Sequence, residues 1–301
     1  MSHYKVLSEK IYFLLDRISL WEIMIDIHTH VGAVLSWSKY LKGWVYSSIE
    51  DLIDYMNSCN VDIAVLLATP GISKDHRLAT SEKVLKLAKL YPDRIVPFCV
   101  VDPRSKHALE RMKSFIRGGC MGIGELKVQM RIDDERLMEV YAVAEGYDIP
   151  VLIHMEDEKY CYDINRLERV LKEYSNVNFI MHGPGWWKHI SAEVTDEVYP
   201  SGKVVPEGAV VRILEKYDNV HADISAFSGL NALKRDMDYA KIFLRRFSSR
   251  ILFGTDFPCL SELGNQFGPN GDHLNLLSSL ELPVDVLDAI LHHNAERLLF
   301  E

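Results

Sequence analysis

Few cysteines, no long apolar run and no block of positive charge mark this 301-residue sequence. Each scarcity removes a class of protein. The five cysteines (Cys59, Cys99, Cys120, Cys161 and Cys259) are odd in number, scattered, and form no CxxC pair. They point away from a disulfide framework and toward free or buried thiols in a reducing compartment, so a cytoplasmic location is expected. Lys and Arg number 34 against 43 Asp and Glu, a formal charge of −9. With no dense basic stripe, nucleic acid is not an expected partner.

The nearest thing to an export signal is the stretch around Ile11, Phe13, Leu14 and Leu15. Asp16, Arg17 and Glu22 interrupt it and no small-residue cleavage site follows, so neither a signal peptide nor a membrane span is expected. Residues 1–23 read instead as an N-terminal extension forming a short amphipathic helix, with Met24 as an alternative functional start. No Pro/Ser-rich linker divides the rest, and neither GxGxxG nor GxxxxGK[ST] follows the first strand, which argues against an open nucleotide-binding sheet.

What is present is a globular composition, 48% hydrophobic and 26% charged. From Met24 onward, β-branched apolar runs alternate with amphipathic segments. The runs are 23–28, 61–67, 95–101, 121–128, 149–154, 177–182, 219–224 and 250–256. Helical spacing marks 81–90, 105–117, 134–145, 164–174, 208–217 and 238–247. Repeated βα units predict parallel strands with crossover helices, and eight of them close a barrel. A single (β/α)8 TIM barrel over residues 24–301 is therefore the expected fold, with an open doubly wound sheet as the alternative. The longest connection without clear secondary structure runs from Gly183 to Glu207. It carries Trp186 and Trp187, either packing the barrel rim or serving as a functional segment.

The sharpest chemical signal is Asp26-Ile27-His28-Thr29-His30 at the end of the first run. Residues i and i+2 of a strand share a face, so His28 and His30 can present two imidazoles to one ion. Alone, an HxH pattern is weak. Here His154 closes the fifth run, His182 the sixth and Asp256 the eighth, all at the strand ends where barrel enzymes assemble their sites. The fourth run adds Glu125 and Lys127, two opposite charges in an apolar strand that must be paired or coordinated. A buried ion pair with no metal role is the plainer account of those two. His221 and Asp223 share a face of the seventh run, as ordinary core polar groups or as supports for the site. Ser225, Ser228, Asn231, Arg235 and Asp236 follow it, and helix capping is the plainer reading for Ser228 and Asp236. His292 and His293 lie in the final helix with no spaced partner, which reads as helix surface and packing.

Taken in order, Asp26–Gly32 (DIHTHVG), Met121–Val128 (MGIGELKV), Val151–His154 (VLIH), His182–Trp187 (HGPGWW), Ala222–Asp236, Ile251–Pro258 (ILFGTDFP) and the terminal Asn294–Leu299 resemble the amidohydrolase superfamily. Within it they resemble the amidohydrolase-related (amidohydrolase 2) group of metal-dependent TIM-barrel hydrolases and decarboxylases. The resemblance implies that His28 and His30 bind a first divalent ion. His154 would bind the same ion in a mononuclear site or a second ion in a binuclear one. His182 would be the second ion's other ligand, or a base or electrophile beside the ion. Asp256 would bind metal and shuttle the proton. The fourth-strand ligand would be Glu125 or a carbamylated Lys127. Glu125 is favoured, because an ionised carboxylate needs no modification, and Lys127 is left to contact a substrate anion.

The expected cofactor is Zn2+, one or two ions, since imidazole and carboxylate donors suit it. The expected reaction is hydrolysis of a small amide, ester or lactone by a metal-activated water. Non-oxidative decarboxylation is the alternative, with Lys127, Arg235 or Arg131 supplying positive charge, and a catalytically inactive metal-binding barrel is a third reading. The expected partner is a small-molecule substrate, without nucleic acid or membrane, and a homo-oligomer stays open.

Overall fold

The computed structural model describes residues 23–35, 43–71, 76–258 and 271–301. The expectations for the N-terminal extension before residue 23 and for Cys259 lie outside the described residues. Eight parallel strands form one sheet in the order β1 (Ile25–Thr29), β4 (Ile63–Leu67), β6 (Ile95–Cys99), β7 (Gly122–Leu126), β8 (Val151–His154), β9 (Phe179–His182), β10 (Val220–Asp223) and β11 (Ile251–Leu252). They are the eight apolar runs of the sequence. Strands covered on both faces bury nearly every side chain, which is why they read as continuous apolar runs rather than alternating ones.

The last strand returns to the first. Ile27 N donates to Phe253 O (2.9 Å), Asp256 N to His28 O (2.8 Å) and His30 N to Phe257 O (2.6 Å), closing the barrel and excluding the open sheet. Ile25, Ile27, Val65, Leu67, Val96, Phe98, Leu152, Ile180 and Leu252 fill its interior. Ala295 and Leu299 of the terminal helix Asn294–Phe300 join this inner cluster. A much larger apolar layer packs the opposite strand faces against the helices.

Five of the six expected helices form within a few residues of their expected bounds: Ser81–Ala88, Ala108–Arg117, Glu135–Tyr147, Ala209–Lys216 and Met237–Arg246. The sixth splits into a 3-10 turn Ile164–Arg166 and a helix Leu167–Glu173. Local chemistry sets several ends. Ser48 and Asp51 form a reciprocal capping box on the helix Ile49–Cys59, satisfying two otherwise orphaned N–H groups. Asp134 and Asp236 cap Glu135–Tyr147 and Met237–Arg246, so the capping reading of Asp236 holds.

Two features differ from the sequence reading. A three-stranded antiparallel sheet, β3 (Trp44–Ser47), β2 (Gly32–Leu35) and β5 (His76–Leu78), sits on the connections after β1 and β4. Its strands are three or four residues long and partly exposed, too short to show a period. The segment after Gly183 is not structureless throughout, because Pro184–Trp187 forms a helical turn and Lys188–Ile190 a 3-10 turn. Trp186 and Trp187 are fully buried, and Trp187 Nε1 donates to Asp223 O (2.9 Å). These tryptophans pack the rim.

Candidate metal centre

The irregular points of the barrel ladder fall where the site is built. In β1 the interior is lined by Ile25 and Ile27, so strict alternation would turn His28 and His30 outward. The pairing with β4 slips between Asp26 and Thr29. In β7 a Cβ on Gly122 or Gly124 would meet the interior residues Phe98 or Leu152, and the register slips between Ile123 and Leu126. Such bulges re-aim side chains, and here they bring His28, His30 and Glu125 to one point. β8 and β9 stay regular and set His154 directly opposite His182.

His28 Nε2 and His30 Nε2 are 3.1 Å apart. Asp256 Oδ1 lies 3.4 and 3.3 Å from them, and Glu125 Oε2 lies 3.5 Å from His30 Nε2. The other Glu125 oxygen, Oε1, is 2.7 Å from His154 Nδ1. Donor atoms of His28, His30 and Glu125 fall within 4.8 Å of one another, and so do those of Glu125, His154 and His182. Glu125 is common to both groups, one oxygen toward each. His28, His30, Glu125, His154 and His182 are buried, and the Asp256 side chain is 23% exposed, the most open face of the cluster.

Behind these side chains stands a layer the sequence reading left uncommitted. Asp223 Oδ2 takes His28 Nδ1 at 2.6 Å and the Ser225 hydroxyl at 2.8 Å. Ser225 Oγ is in turn 2.8 Å from His182 Nδ1. His30 Nδ1 donates to Leu67 O (3.2 Å). With Nδ1 so committed, His28 and His30 direct Nε2 inward. Asp26, part of the first motif but assigned no role from sequence, accepts from His28 N and Thr255 N through Oδ1 and from Tyr55 and Thr255 hydroxyls through Oδ2. It clamps β1 to the segment that carries Asp256. Glu156, 3.7 Å from His154 Nε2, was not singled out, since it lies beyond a strand end and matches no spacing.

The charges are mutually dependent. Burial opposes ionisation of Glu125, yet Lys127 and His154 hold its carboxyl well below the usual range. Burial likewise opposes ionisation of Asp256, which His28 and His30 keep low. Burial works against a charged His28, but Asp223 and Asp256 push it up to about 9. Burial, with His28 and His154 nearby, keeps His182 neutral. Burial works against a charged Lys127, yet Glu125 and Asp256 raise its pKa. Lys127 is half-buried just past β7, its Nζ 5.4 Å from the centre of the Tyr160 ring.

Other candidates stand apart from the cluster. Arg131 is paired with Asp133, which removes it as a free cation for substrate. Arg235 lines a narrow cleft with Trp187, Tyr199 and Ser228. His221, one pleat below Asp223, leaves Nδ1 without a hydrogen-bond partner. Ser228 caps nothing, its hydroxyl being buried and unpartnered.

The amidohydrolase family model matches residues 25–300. The chain belongs to the amidohydrolase family. No curated protein matches it. Among solved structures, an uncharacterized TIM-barrel protein from Bordetella bronchiseptica is 21% identical, with 84% of this chain and 82% of that one covered and a TM-score of 0.61. A probable 2-pyrone-4,6-dicarboxylic acid hydrolase from Acinetobacter baumannii is 16% identical over 92% and 98%, with a TM-score of 0.63. A 5-carboxyvanillate decarboxylase from Sphingomonas paucimobilis is 12% identical over 84% and 83%, with a TM-score of 0.56. At these identities the amidohydrolase shares a barrel fold with them. Among its described residues no helix is long and apolar enough to cross a membrane.

Proposed function

We propose that this amidohydrolase is a metal-dependent hydrolase of a small carbonyl substrate, an amide, ester or lactone, with zinc as its ion. The observation that carries this reading is the convergence of His28 Nε2 and His30 Nε2, 3.1 Å apart, edged by Asp256 and Glu125 oxygens at 3.3–3.5 Å. Two imidazole nitrogens and two carboxylates facing one another call for positive charge among them, supplied by a proton on His28 or by a cation held between them. Tetrahedral ligands on bonds of 2.0–2.1 Å stand about 3.3 Å apart, so the donor spacing fits such an ion.

His28, His30, Glu125 and Asp256 would hold the first ion. Glu125, His154 and His182 would hold a second where one binds. Lys127 is assigned a contact to substrate rather than to metal, because Glu125 already offers an oxygen to each group. The ion supplies Lewis acidity and lowers the pKa of a bound water to about 7.

The chain's own groups do the rest. Asp223 and Ser225 fix the rings of His28 and His182. Asp256, ionised and the most open member, accepts the proton of the attacking water on its carboxylate and returns it to the leaving group. His182, neutral and buried, serves as ligand or as electrophile toward the substrate oxygen. The half-buried Lys127 ammonium attracts an anionic group on the substrate, with the Tyr160 ring beside it.

Metal analysis combined with a screen of esters, lactones and amides tests the reading. Turnover that depends on metal and on His30 supports it, and tight metal with no turnover on any class overturns it. A second reading, non-oxidative decarboxylation, draws on the cation at Lys127 and on the decarboxylase among the structural neighbours. Release of CO2 from a small aromatic acid without addition of water favours that reading.

A further inference from the structure

The final helical segment carries a group of side chains that the catalytic reading does not use. Residues Ala289–His293 form a π-turn, with Asn294 N–H donating to Ala289 O. In a regular α-helix, residues five apart point about 140° away from each other. The wider turn instead brings Asp288 and His293 onto one face, with His293 Nε2 3.0 Å from Asp288 Oδ2. One donor atom from each of Asp288, His292 and His293 falls within 4.8 Å of the other two. In an α-helical register Asp288 stands within reach of His292, four residues on, but not of His293, which the wider turn alone brings to it.

The arrangement is short of protons. A neutral imidazole has one N–H, yet His293 has a carboxylate oxygen at each ring nitrogen: Asp288 Oδ2 at Nε2, and Glu296 Oε2 3.3 Å from Nδ1. If Nδ1 donates to Glu296, the Nε2 lone pair faces Asp288. His292 is stacked on His293 with ring centres 4.4 Å apart. Its residue is 8% exposed, and its Nε2 faces Glu296 Oε2 at 3.4 Å. Two imidazoles and a carboxylate with donor atoms this close together form a borderline donor set suited to divalent first-row transition ions.

The geometry points to a second metal site, at Asp288, His292 and His293, that takes a divalent first-row transition ion independently of the barrel centre. Glu296 orients the rings from outside, as carboxylates commonly do for metal-bound histidines. The site is structural rather than catalytic. The same π-turn presents Ile290 O to Phe253 N at 3.0 Å, and Asn294 Nδ2 donates to Ser248 O and Ile251 O. An ion that fixes this turn therefore braces the strand leading to Asp256.

Equilibrium dialysis against zinc, with bound metal counted by mass spectrometry, tests the site in the full chain. His293→Ala and Asp288→Asn change exposed or partly exposed side chains, so loss of folding does not intrude, and circular dichroism checks this. Each variant is expected to hold one zinc equivalent fewer than wild type. His30→Ala is expected to keep that equivalent while losing metal at the barrel centre. Wild-type stoichiometry in both His293→Ala and Asp288→Asn overturns the site and leaves the cluster as a set of imidazole–carboxylate contacts that holds the turn by itself.

Discussion

Asp223 Oδ2 lies 2.6 Å from His28 Nδ1, although the two residues are 195 positions apart in the chain. The contact fixes the tautomer and rotation of His28, so that Nε2 meets His30 Nε2. Asp223→Asn keeps the size but removes the charge that holds the Nδ1 proton. Metal affinity is expected to fall about 10- to 100-fold, measured by competition with a chromophoric chelator. An unchanged affinity would show that His28 is held by its other neighbours alone.

Asp256 combines a metal-facing oxygen with the greatest exposure of the cluster. Asp256→Asn preserves an oxygen donor but cannot take a proton at neutral pH. Turnover is expected to drop about 10²- to 10⁴-fold, the usual worth of a positioned acid-base group, while His28, His30 and Glu125 retain most of the metal. Parallel assays of metal content and hydrolysis check it. Loss of metal in step with activity would assign Asp256 to binding alone.

How far the sequence reaches is visible at β1 and β7. The apolar runs locate all eight barrel strands because burial on both faces leaves a continuous hydrophobic signal. The shared face of His28 and His30 follows from a two-residue period. What the period does not give is the direction of that face. Ile27 is already interior, and only the slip between Asp26 and Thr29 turns His28 inward; the slip in β7 does the same for Glu125. A bulge leaves no mark in hydrophobic periodicity. Asp223 is a different case. Its position at the end of the seventh run was legible, but its role depends on a contact with a distant strand that spacing does not encode. The short strands β2, β3 and β5 were hidden for lack of length.

His221 makes acid stability a separate test. Burial, with Arg250 and Arg297 nearby, pushes its pKa down to about 3, against 6.5 in an unfolded chain. Between those values the unfolded chain binds the proton and the folded one does not, so stability falls as pH drops through the window. It is fully present above about pH 6.5. The loss amounts to about 5 kcal/mol at 1.36 kcal/mol per pKa unit, a large share of a typical folding free energy. His221→Leu is expected to shift the acid unfolding midpoint to lower pH and to change stability much less at pH 7. Denaturant titrations at pH 7 and pH 4 check this, and equal acid sensitivity in the variant would place its origin in other groups.

Gly254 shows how tightly the supporting layer is fitted. A Cβ there would stand 2.5 Å from Asp223 Oδ1 and 3.1 Å from both His28 Cβ and Ser225 Cβ. Asp223 cannot swing aside freely, because Oδ1 accepts from Ser225 N at 2.8 Å and Oδ2 holds His28 and the Ser225 hydroxyl. One methyl group must therefore displace the residue that orients His28, or push β11 away from β1 at the seam that closes the barrel. Gly254→Ala is expected to cost about 1–3 kcal/mol, the usual range for overpacking. It should also weaken metal binding at the barrel centre while the circular dichroism spectrum stays that of the folded barrel. A variant with wild-type metal affinity and an unchanged melting temperature would mean that the seam yields without moving Asp223, and the interlock between closure and metal binding would be lost.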